Sequence, residues 1–322
     1  MKRTYRFACA LLMAAGAFAQ ITFAQIKPNR DQILFYTSEW KGERFPDGRP
    51  KIADGLLERA LDVSIEDVWD YLRGQGYVNQ FDGGWQALHP EKPFAGRALT
   101  AQFMPRRPDM ANAVAEEGRA EGRVSGTNSW VIAMLQQGDT MVVDGYGKIV
   151  EGTIIGSNLG SGIAAHTHSG FVFDAGIRDA EENREIAGLN GLYRGYDPSA
   201  WAQMQLTGIN VPVRIGRATV LPGDLVLAKR DGVIFIPAHL AEQAIVRAEF
   251  TNLQDAFNFE LNKQGTNGAE FEGGWTPAKF AALAKWIDQH PEKLKMTRAQ
   301  FDAELKRATT PRPQGGRGGR GQ

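Results

Sequence analysis

The stretch GSNLGSGIAAHTHSGFVFDAGIRD, residues 156–179, places a helix signal, a buried strand and an ion pair in immediate succession. Glycines introduce a segment, residues 158–168, whose composition suits a helix. The apolar run GFVFDA at residues 170–175 then predicts a buried strand, and Arg178 and Asp179 follow just beyond its end. This succession predicts an α/β protein.

The flanking sequence adds further short strands. Upstream, FAGRALTAQFM at residues 94–104 alternates like a strand, and TMVVDG at residues 140–145 is a β-branched run closed by Asp-Gly. Downstream, Pro-Gly-Asp and Asp-Gly turns separate short apolar segments that predict a β meander ending at Pro237. These segments are VPVRIG, ATVLPGD, LVLAKRDG and VIFIP.

Capping signals predict helices around the strands. Ser64 followed three residues later by Asp67 forms a capping box, which predicts a helix that continues to Gly74. Residues 106–126 are polar and charged, and we expect an excursion from the core there. Further helices are expected over residues 128–137, over residues 239–262, after Thr276 with Pro277 at the first position, and after the box Thr297-Arg298-Ala299-Gln300.

The N-terminal residues 1–24 have the build of a secretory signal peptide. Basic residues precede an apolar segment over residues 7–18, and small-residue sites follow that allow cleavage after Ala19 or Ala24. A membrane anchor is the alternative, but the apolar run is shorter than the roughly 20 residues of a spanning helix. The sequence therefore predicts a periplasmic or secreted protein. Its single cysteine, Cys9, lies in this segment, which excludes disulfides and thiolate chemistry from the mature chain.

Overall charge excludes other partners. The 37 basic and 37 acidic side chains balance, and loss of the signal segment leaves a slightly acidic chain without a field that attracts nucleic acid or a membrane. The C-terminal RGGRG motif is typical of segments that bind single-stranded RNA, but an exported protein does not meet cytoplasmic RNA. We expect no nucleic-acid partner and no membrane association after cleavage.

We expect four parts in the rest of the chain. They are an irregular, partly ordered lead-in over residues 25–50, a catalytic or binding domain over residues 51–245, a helical extension over residues 246–308 and a Gly/Arg-rich tail over residues 309–322 that is too polar to fold.

The residues between Gly156 and Asp179 carry the candidate chemistry. A helix that starts at glycines leaves backbone N–H groups unpaired, and these groups favour an anion such as a carboxylate or a phosphate. Arg178 can grip a carboxylate, Asp179 is a hard oxygen ligand for a magnesium-type ion, and Glu182 on the same helical face can hold a metal-bound water. A structural ion pair, with Asp179 as a helix cap, is the alternative. His166 and His168 are expected at a helix end, where they diverge and do not form a metal pair.

Four motifs in order resemble the RraA family, which includes the 4-hydroxy-4-methyl-2-oxoglutarate aldolases. They are GDTMVVDGYG, GSNL, RDAEE and VLPGDLVLAKRDGVIFIP, and the likeness covers roughly residues 51–245. The resemblance implies a layered α/β/α core of the swivelling β/β/α type with added C-terminal helices, assembled as a homotrimer or a higher homo-oligomer.

The resemblance also implies roles for individual residues. Arg178 would bind the pyruvyl carboxylate, and Asp179 would anchor a divalent metal, Mg²⁺ or alternatively Mn²⁺, with Glu182 matching a further acid of the metal site. Backbone amides over residues 156–159 would contact the substrate; these residues are Gly156, Ser157, Asn158 and Leu159. A metal that stabilises a pyruvate enolate as a Lewis acid makes a lysine Schiff base unnecessary.

Ser157 departs from the family pattern, since the aldolases have an acid at this catalytic position. A neutral serine is a poor base, so either Glu182 or a metal-bound hydroxide moves the proton, or the chain does not cleave aldols. We therefore expect an exported, metal-dependent aldolase or decarboxylase acting on a small 2-oxo acid. The alternative is a non-catalytic RraA-like binding or assembly protein.

Overall fold

The computed structural model describes residue 26, residues 30–265 and residues 274–310. The signal segment with Cys9, and the tail beyond residue 310, lie outside the described residues. Helices in the described ranges are α1 (Arg30–Tyr36), α2 (Asp54–Ala60), α3 (Ile65–Gly74), α4 (Pro108–Ala120), α5 (Thr127–Ile132), α6 (Ser157–Thr167), α7 (Ala180–Glu185), α8 (Ala241–Lys263), α9 (Pro277–Gln289) and α10 (Arg298–Thr309).

The strands form a mixed central sheet and a separate hairpin. They are β1 (Phe81–Asp82), β2 (Gln86–Ala87), β3 (Phe94–Pro105), β4 (Asp139–Thr153), β5 (Gly170–Ile177), β6 (Asn190–Tyr196), β7 (Met204–Ile209), β8 (Val213–Ile215), β9 (Ala218–Val220), β10 (Leu225–Lys229) and β11 (Gly232–Ile236). The sheet order is β1-β11-β10-β3-β4-β5-β6-β2 with β7 also paired to β3, while β8 and β9 form the hairpin. Strands β3 to β6 are parallel neighbours, so their carboxyl ends share one edge of the sheet.

Apolar side chains cover both faces of the parallel strands, as such sheets require. Met141 and Phe173 point to the face covered by α5 and α6, whereas Val142 and Val172 point to the face covered by the β8–β9 hairpin. The predicted layered α/β fold is confirmed. The added C-terminal helices are also present, and they pack on the second half of α8 around a core that includes Phe250.

The predicted helix caps are confirmed. The Ser64 hydroxyl accepts a hydrogen bond from the Asp67 amide at 3.0 Å, and α3 ends at Gly74. Thr276 caps α9 through the Lys279 amide, and Thr297 forms a complete capping box with Gln300. These signals depend on residues three positions apart, so the local sequence is sufficient to identify them.

Other local expectations were wrong or incomplete. The polar segment 106–126 contains α4, which begins at Pro108, a residue suited to a first helical turn. The lead-in over residues 25–50 contains one helix, α1. The helix expected over residues 128–137 ends at Ile132 and continues as turns. Strand β7 was not predicted. Helix α8 runs without a break through residues 245 and 246.

A buried ion pair fixes the lead-in to the sheet. Arg49 and Asp139, which are 90 residues apart, both have fully buried side chains, and Arg49 Nη2 donates to Asp139 Oδ2 at 3.1 Å. Asp47 accepts from Arg49 Nε at 2.8 Å and completes the arrangement.

In the described ranges, none of the helices combines the length and the apolar character that a membrane span requires.

Candidate functional site

The Arg178-Asp179 turn follows the carboxyl end of β5. The Arg178 amide donates to the Ile155 carbonyl at 3.0 Å, which ties the turn to the segment that enters α6. Asp179 has φ 52° and ψ 45°, a left-handed conformation that few non-glycine residues adopt. This conformation turns the chain from β5 into α7 and leaves both side chains at the sheet edge.

The same turn meets the N-terminus of α6. The Ser157 amide donates to Asp179 Oδ2 at 3.1 Å, and Arg178 Nε lies 3.7 Å from the same oxygen. A Cβ atom on Gly156 would lie 2.4 Å from Asp179 Oδ2 and 2.8 Å from Arg178 Nε. Only glycine therefore allows the ion pair to approach this backbone so closely.

Both charged side chains remain accessible. The side chain of Arg178 is 44% exposed and that of Asp179 is 39% exposed. No hydrogen bond joins the Arg178 guanidinium to another protein group in the described part of the chain, so its terminal nitrogens can take a carboxylate. The sequence-predicted convergence of Arg178, Asp179 and the glycine-led helix is therefore present in the fold.

The amide end of α6 differs in one respect from the expected anion site. Asp179 occupies the Ser157 amide, and the Gly160 amide bonds the Gly156 carbonyl. The amides of Asn158 and Leu159 belong to the first turn, where no intrahelical acceptor exists. Asp179 precedes α7, but its side chain does not cap that helix; it caps α6 instead.

The oxygen atoms available to a metal are few. Asp179 Oδ1 has no hydrogen bond in the described residues, and Glu182 lies exposed on α7, three residues further on. Across these residues, no group of three or more His, Cys, Asp and Glu side chains is arranged to hold a metal. The donor set fits a hard cation such as Mg²⁺, which takes one or two carboxylates and keeps several waters.

The histidines lie where the sequence predicts them. His166 Nδ1 contacts the Gly162 carbonyl at 2.8 Å, one turn back in α6, and His168 is the left-handed residue that ends the helix. Their contacts and position favour the expected role at the helix end.

A second charged cluster near the carboxyl ends of β4 to β6 was not predicted. Arg194 donates to Asp174 and to Asp82, each at 2.6 Å, and its guanidinium lies 3.6 Å from the centre of the Trp85 ring. Burial, with the nearby charge of Asp174, raises the pKa of Asp144 on the adjacent strand. The cluster could not be predicted because the partners of Arg194 are distant in sequence. The only local signal was that two apolar runs, residues 140–145 and 170–175, each have an aspartate near the end.

Comparisons with known proteins agree with this fold. The RraA-like family, described as Aldolase/RraA, matches residues 65–235. The 4-hydroxy-4-methyl-2-oxoglutarate aldolase of Thermus thermophilus is 31% identical over 118 residues, which are 36% of this chain and 71% of that protein. A Halalkalibacterium halodurans protein, provisionally named as the same aldolase, is 30% identical over 138 residues. That alignment covers 41% of this chain and 63% of the relative, which is less than two thirds of its length.

A solved structure extends the similarity to about two thirds of the chain. Streptomyces coelicolor RraAS2, described as an unusual member of the RNase ES inhibitor RraA protein family, is 26% identical with a TM-score of 0.51. The match covers 68% of this chain and 98% of that protein. The chain belongs to the RraA-like family.

Proposed function

We propose that this protein is a divalent-metal-dependent carbon–carbon lyase, an aldolase or decarboxylase, acting on a small 2-oxo acid. One observation carries the proposal: an accessible guanidinium, an accessible carboxylate and the amide end of α6 converge at one edge of the sheet. The name of the Thermus thermophilus relative, a 4-hydroxy-4-methyl-2-oxoglutarate aldolase, supports the same substrate class.

Arg178 and the first amides of α6 bind the same part of the substrate, its carboxylate. The Arg178 guanidinium pairs with the carboxylate of the 2-oxo acid, and the amides of Asn158 and Leu159 donate to oxygens of the same group. Asp179 keeps one oxygen on the Ser157 amide, and its other oxygen accepts no hydrogen bond in the described residues. The Arg178 guanidinium therefore stays beside the Asp179 carboxylate when it binds substrate. This keeps the orientation of the two side chains fixed.

Asp179 would hold the divalent metal directly, and Glu182 would hold it through a bound water; Mg²⁺, which keeps several waters, fits this set of oxygen donors. When bound, the metal supplies Lewis-acid stabilisation of the negative charge that develops on the substrate. Ser157 cannot act as an unassisted base, so Glu182 is the side chain we assign to proton transfer. Its exposed position on α7 leaves the carboxylate free to reach a bound water.

Export and self-association complete the proposal. The N-terminal sequence supports a periplasmic or secreted location. Exposed apolar side chains near the carboxyl ends of β3, β4 and β6 support a homotrimer or higher homo-oligomer that covers this edge; they are Met104, Val150 and Tyr196. The expected partner is the small 2-oxo acid substrate, and we expect neither nucleic acid nor a membrane as a partner.

A non-catalytic role is the second candidate, because Asp179 already acts as a cap for α6. Pyruvate release from 4-hydroxy-4-methyl-2-oxoglutarate and from oxaloacetate, measured with Mg²⁺ and with EDTA, separates the two. We expect Mg²⁺-dependent release that Asp179→Ala abolishes while circular dichroism stays native. Wild-type activity in Asp179→Ala, or wild-type protein that releases no pyruvate from either acid, would favour the binding role.

A further inference from the structure

Asn183 lies directly beneath the Arg178-Asp179 turn. It is fully buried on α7, and its Nδ2 donates to the Arg178 carbonyl at 3.0 Å and to the Asp179 carbonyl at 2.8 Å. Two carbonyl acceptors require the NH₂ group at this position, which fixes the orientation of the side-chain amide. One side chain therefore holds both peptide carbonyls of the ion pair.

The other end of the same amide meets α6. Asn183 Oδ1 is buried without a hydrogen-bond partner in the described residues. A Cβ atom on Gly160 would lie 1.9 Å from this oxygen. Adding a C–C bond of about 1.5 Å places Oδ1 within about 3.4 Å of the Gly160 Cα, the range of a Cα–H···O contact. Gly160 thus lets α6 approach the turn.

These contacts link the two halves of the candidate site. Asn183 fixes the backbone from which Arg178 and Asp179 project, and it rests on the helix whose first amide Asp179 accepts. The left-handed conformation of Asp179 is a conformation that surrounding contacts must maintain. A buried polar atom without a conventional partner is also costly, and such atoms in native proteins call for an explanation.

We infer that Asn183 is a positioning residue that sets the geometry of the Arg178-Asp179 pair against the N-terminus of α6, with Gly160 as its required neighbour. The inference rests on the proposed function for its meaning in catalysis. The contacts themselves can be tested without any ligand.

The first test measures hydrogen exchange by mass spectrometry over residues 154–160 and 177–183 in the full-length protein. Asn183→Ala should accelerate exchange in both segments, because the turn loses two hydrogen bonds and Asp179 no longer holds the Ser157 amide. Asn190→Ala is the matched control. It removes a buried side-chain amide that donates to the carbonyls of His89 and Lys92. This amide lies at the amino-terminal end of β6, at the edge of the sheet opposite the candidate site.

The second test measures pyruvate binding by calorimetry in the presence of Mg²⁺. We expect Asn183→Ala to weaken binding about tenfold, the effect of one to two hydrogen bonds, and Asn190→Ala to change it less than twofold. Unchanged exchange at both segments in Asn183→Ala, or equal acceleration in the two variants, would overturn the inference. If wild-type protein binds no pyruvate, the proposed function fails, and hydrogen exchange alone decides the role of Asn183.

A double-mutant cycle covers the case in which Asn183→Ala folds poorly. Gly160→Ala forces its new methyl group against Asn183 Oδ1, so it should accelerate exchange over residues 177–183. In the Asn183→Ala background the same substitution meets no such oxygen and should have a smaller effect. Additive effects of the two substitutions would show that the residues do not act through each other.

Discussion

Replacement of Gly156 by alanine perturbs the site without changing any charge. Gly156 has φ −114°, which any residue adopts, so the effect is steric. The new Cβ would lie 2.4 Å from Asp179 Oδ2, whereas non-bonded atoms prefer about 3.5 Å or more, so the carboxylate must move by about 1 Å. The 3.1 Å hydrogen bond to the Ser157 amide cannot survive this displacement.

The size of the effect follows from the bond that is lost. A hydrogen bond to a charged group contributes about 1.5–3 kcal/mol, which corresponds to roughly 10–100-fold in an equilibrium constant. The free energy of unfolding of the ligand-free protein should therefore fall by about 1.5–3 kcal/mol in Gly156→Ala. Pyruvate binding should also weaken, by up to about this factor, because the displaced carboxylate shifts Arg178 relative to the amide end of α6.

Gly162→Ala in the same helix is the matched control. Its new Cβ would meet only Ile132 Cγ2 at 3.4 Å, an ordinary contact. Alanine is favoured over glycine inside a helix by about 0.5–1 kcal/mol, so this variant should be slightly more stable and should bind pyruvate as wild type does. Calorimetric titration and urea unfolding measure both quantities. Wild-type pyruvate affinity in Gly156→Ala would refute the assigned geometry.

Two further predictions concern stability. Burial raises the pKa of Asp224 to about 7 from an ordinary value of 3.8. The native protein therefore keeps a proton on this carboxyl group that the unfolded chain releases. The stability that this group contributes is full below about pH 4 and is lost as the pH rises through 7. Urea unfolding at pH 5 and pH 8 should show a loss of about 2–3 kcal/mol that Asp224→Asn removes. An equal loss in both proteins would contradict this origin. Phe301→Ala should cost about 3–5 kcal/mol, because this fully buried ring packs on Phe250 between α10 and α8; a loss below about 1 kcal/mol in calorimetric unfolding would mean that the C-terminal helices contribute little to the core.

Short-range patterns in the sequence predicted much of the fold. The box at Thr297 and the run at residues 170–175 each identified its element, because capping and strand burial depend on neighbouring residues. Strand β7 escaped prediction because its pairing with β3 depends on residues about 100 positions away. Helix α4 escaped because only Val114 and Gly118 of its residues are buried, so most of the segment is polar and exposed.

The candidate site divides in the same way. The neighbours Arg178 and Asp179 could be identified from the sequence, and so could the glycine that precedes α6. The bond from Ser157 to Asp179 could not, since it depends on how the left-handed turn meets the helix. Asn183 gave no signal at all, because a buried asparagine looks like any polar helix residue until its two carbonyl partners are known.

The contact between Arg49 and Asp139 sets a practical limit on how this protein can be shortened. The matched family segment, residues 65–235, contains Asp139 but not Arg49, which donates a hydrogen bond to it. A fragment trimmed to that segment would keep Arg97, whose Nε lies 3.7 Å from Asp139 Oδ1, but would lose the buried hydrogen bond from Arg49 and would therefore be less stable. Any chimera or minimal version built on this sheet must therefore start upstream of Asp47, so that Asp47 and Arg49 are kept together with Asp139 on β4.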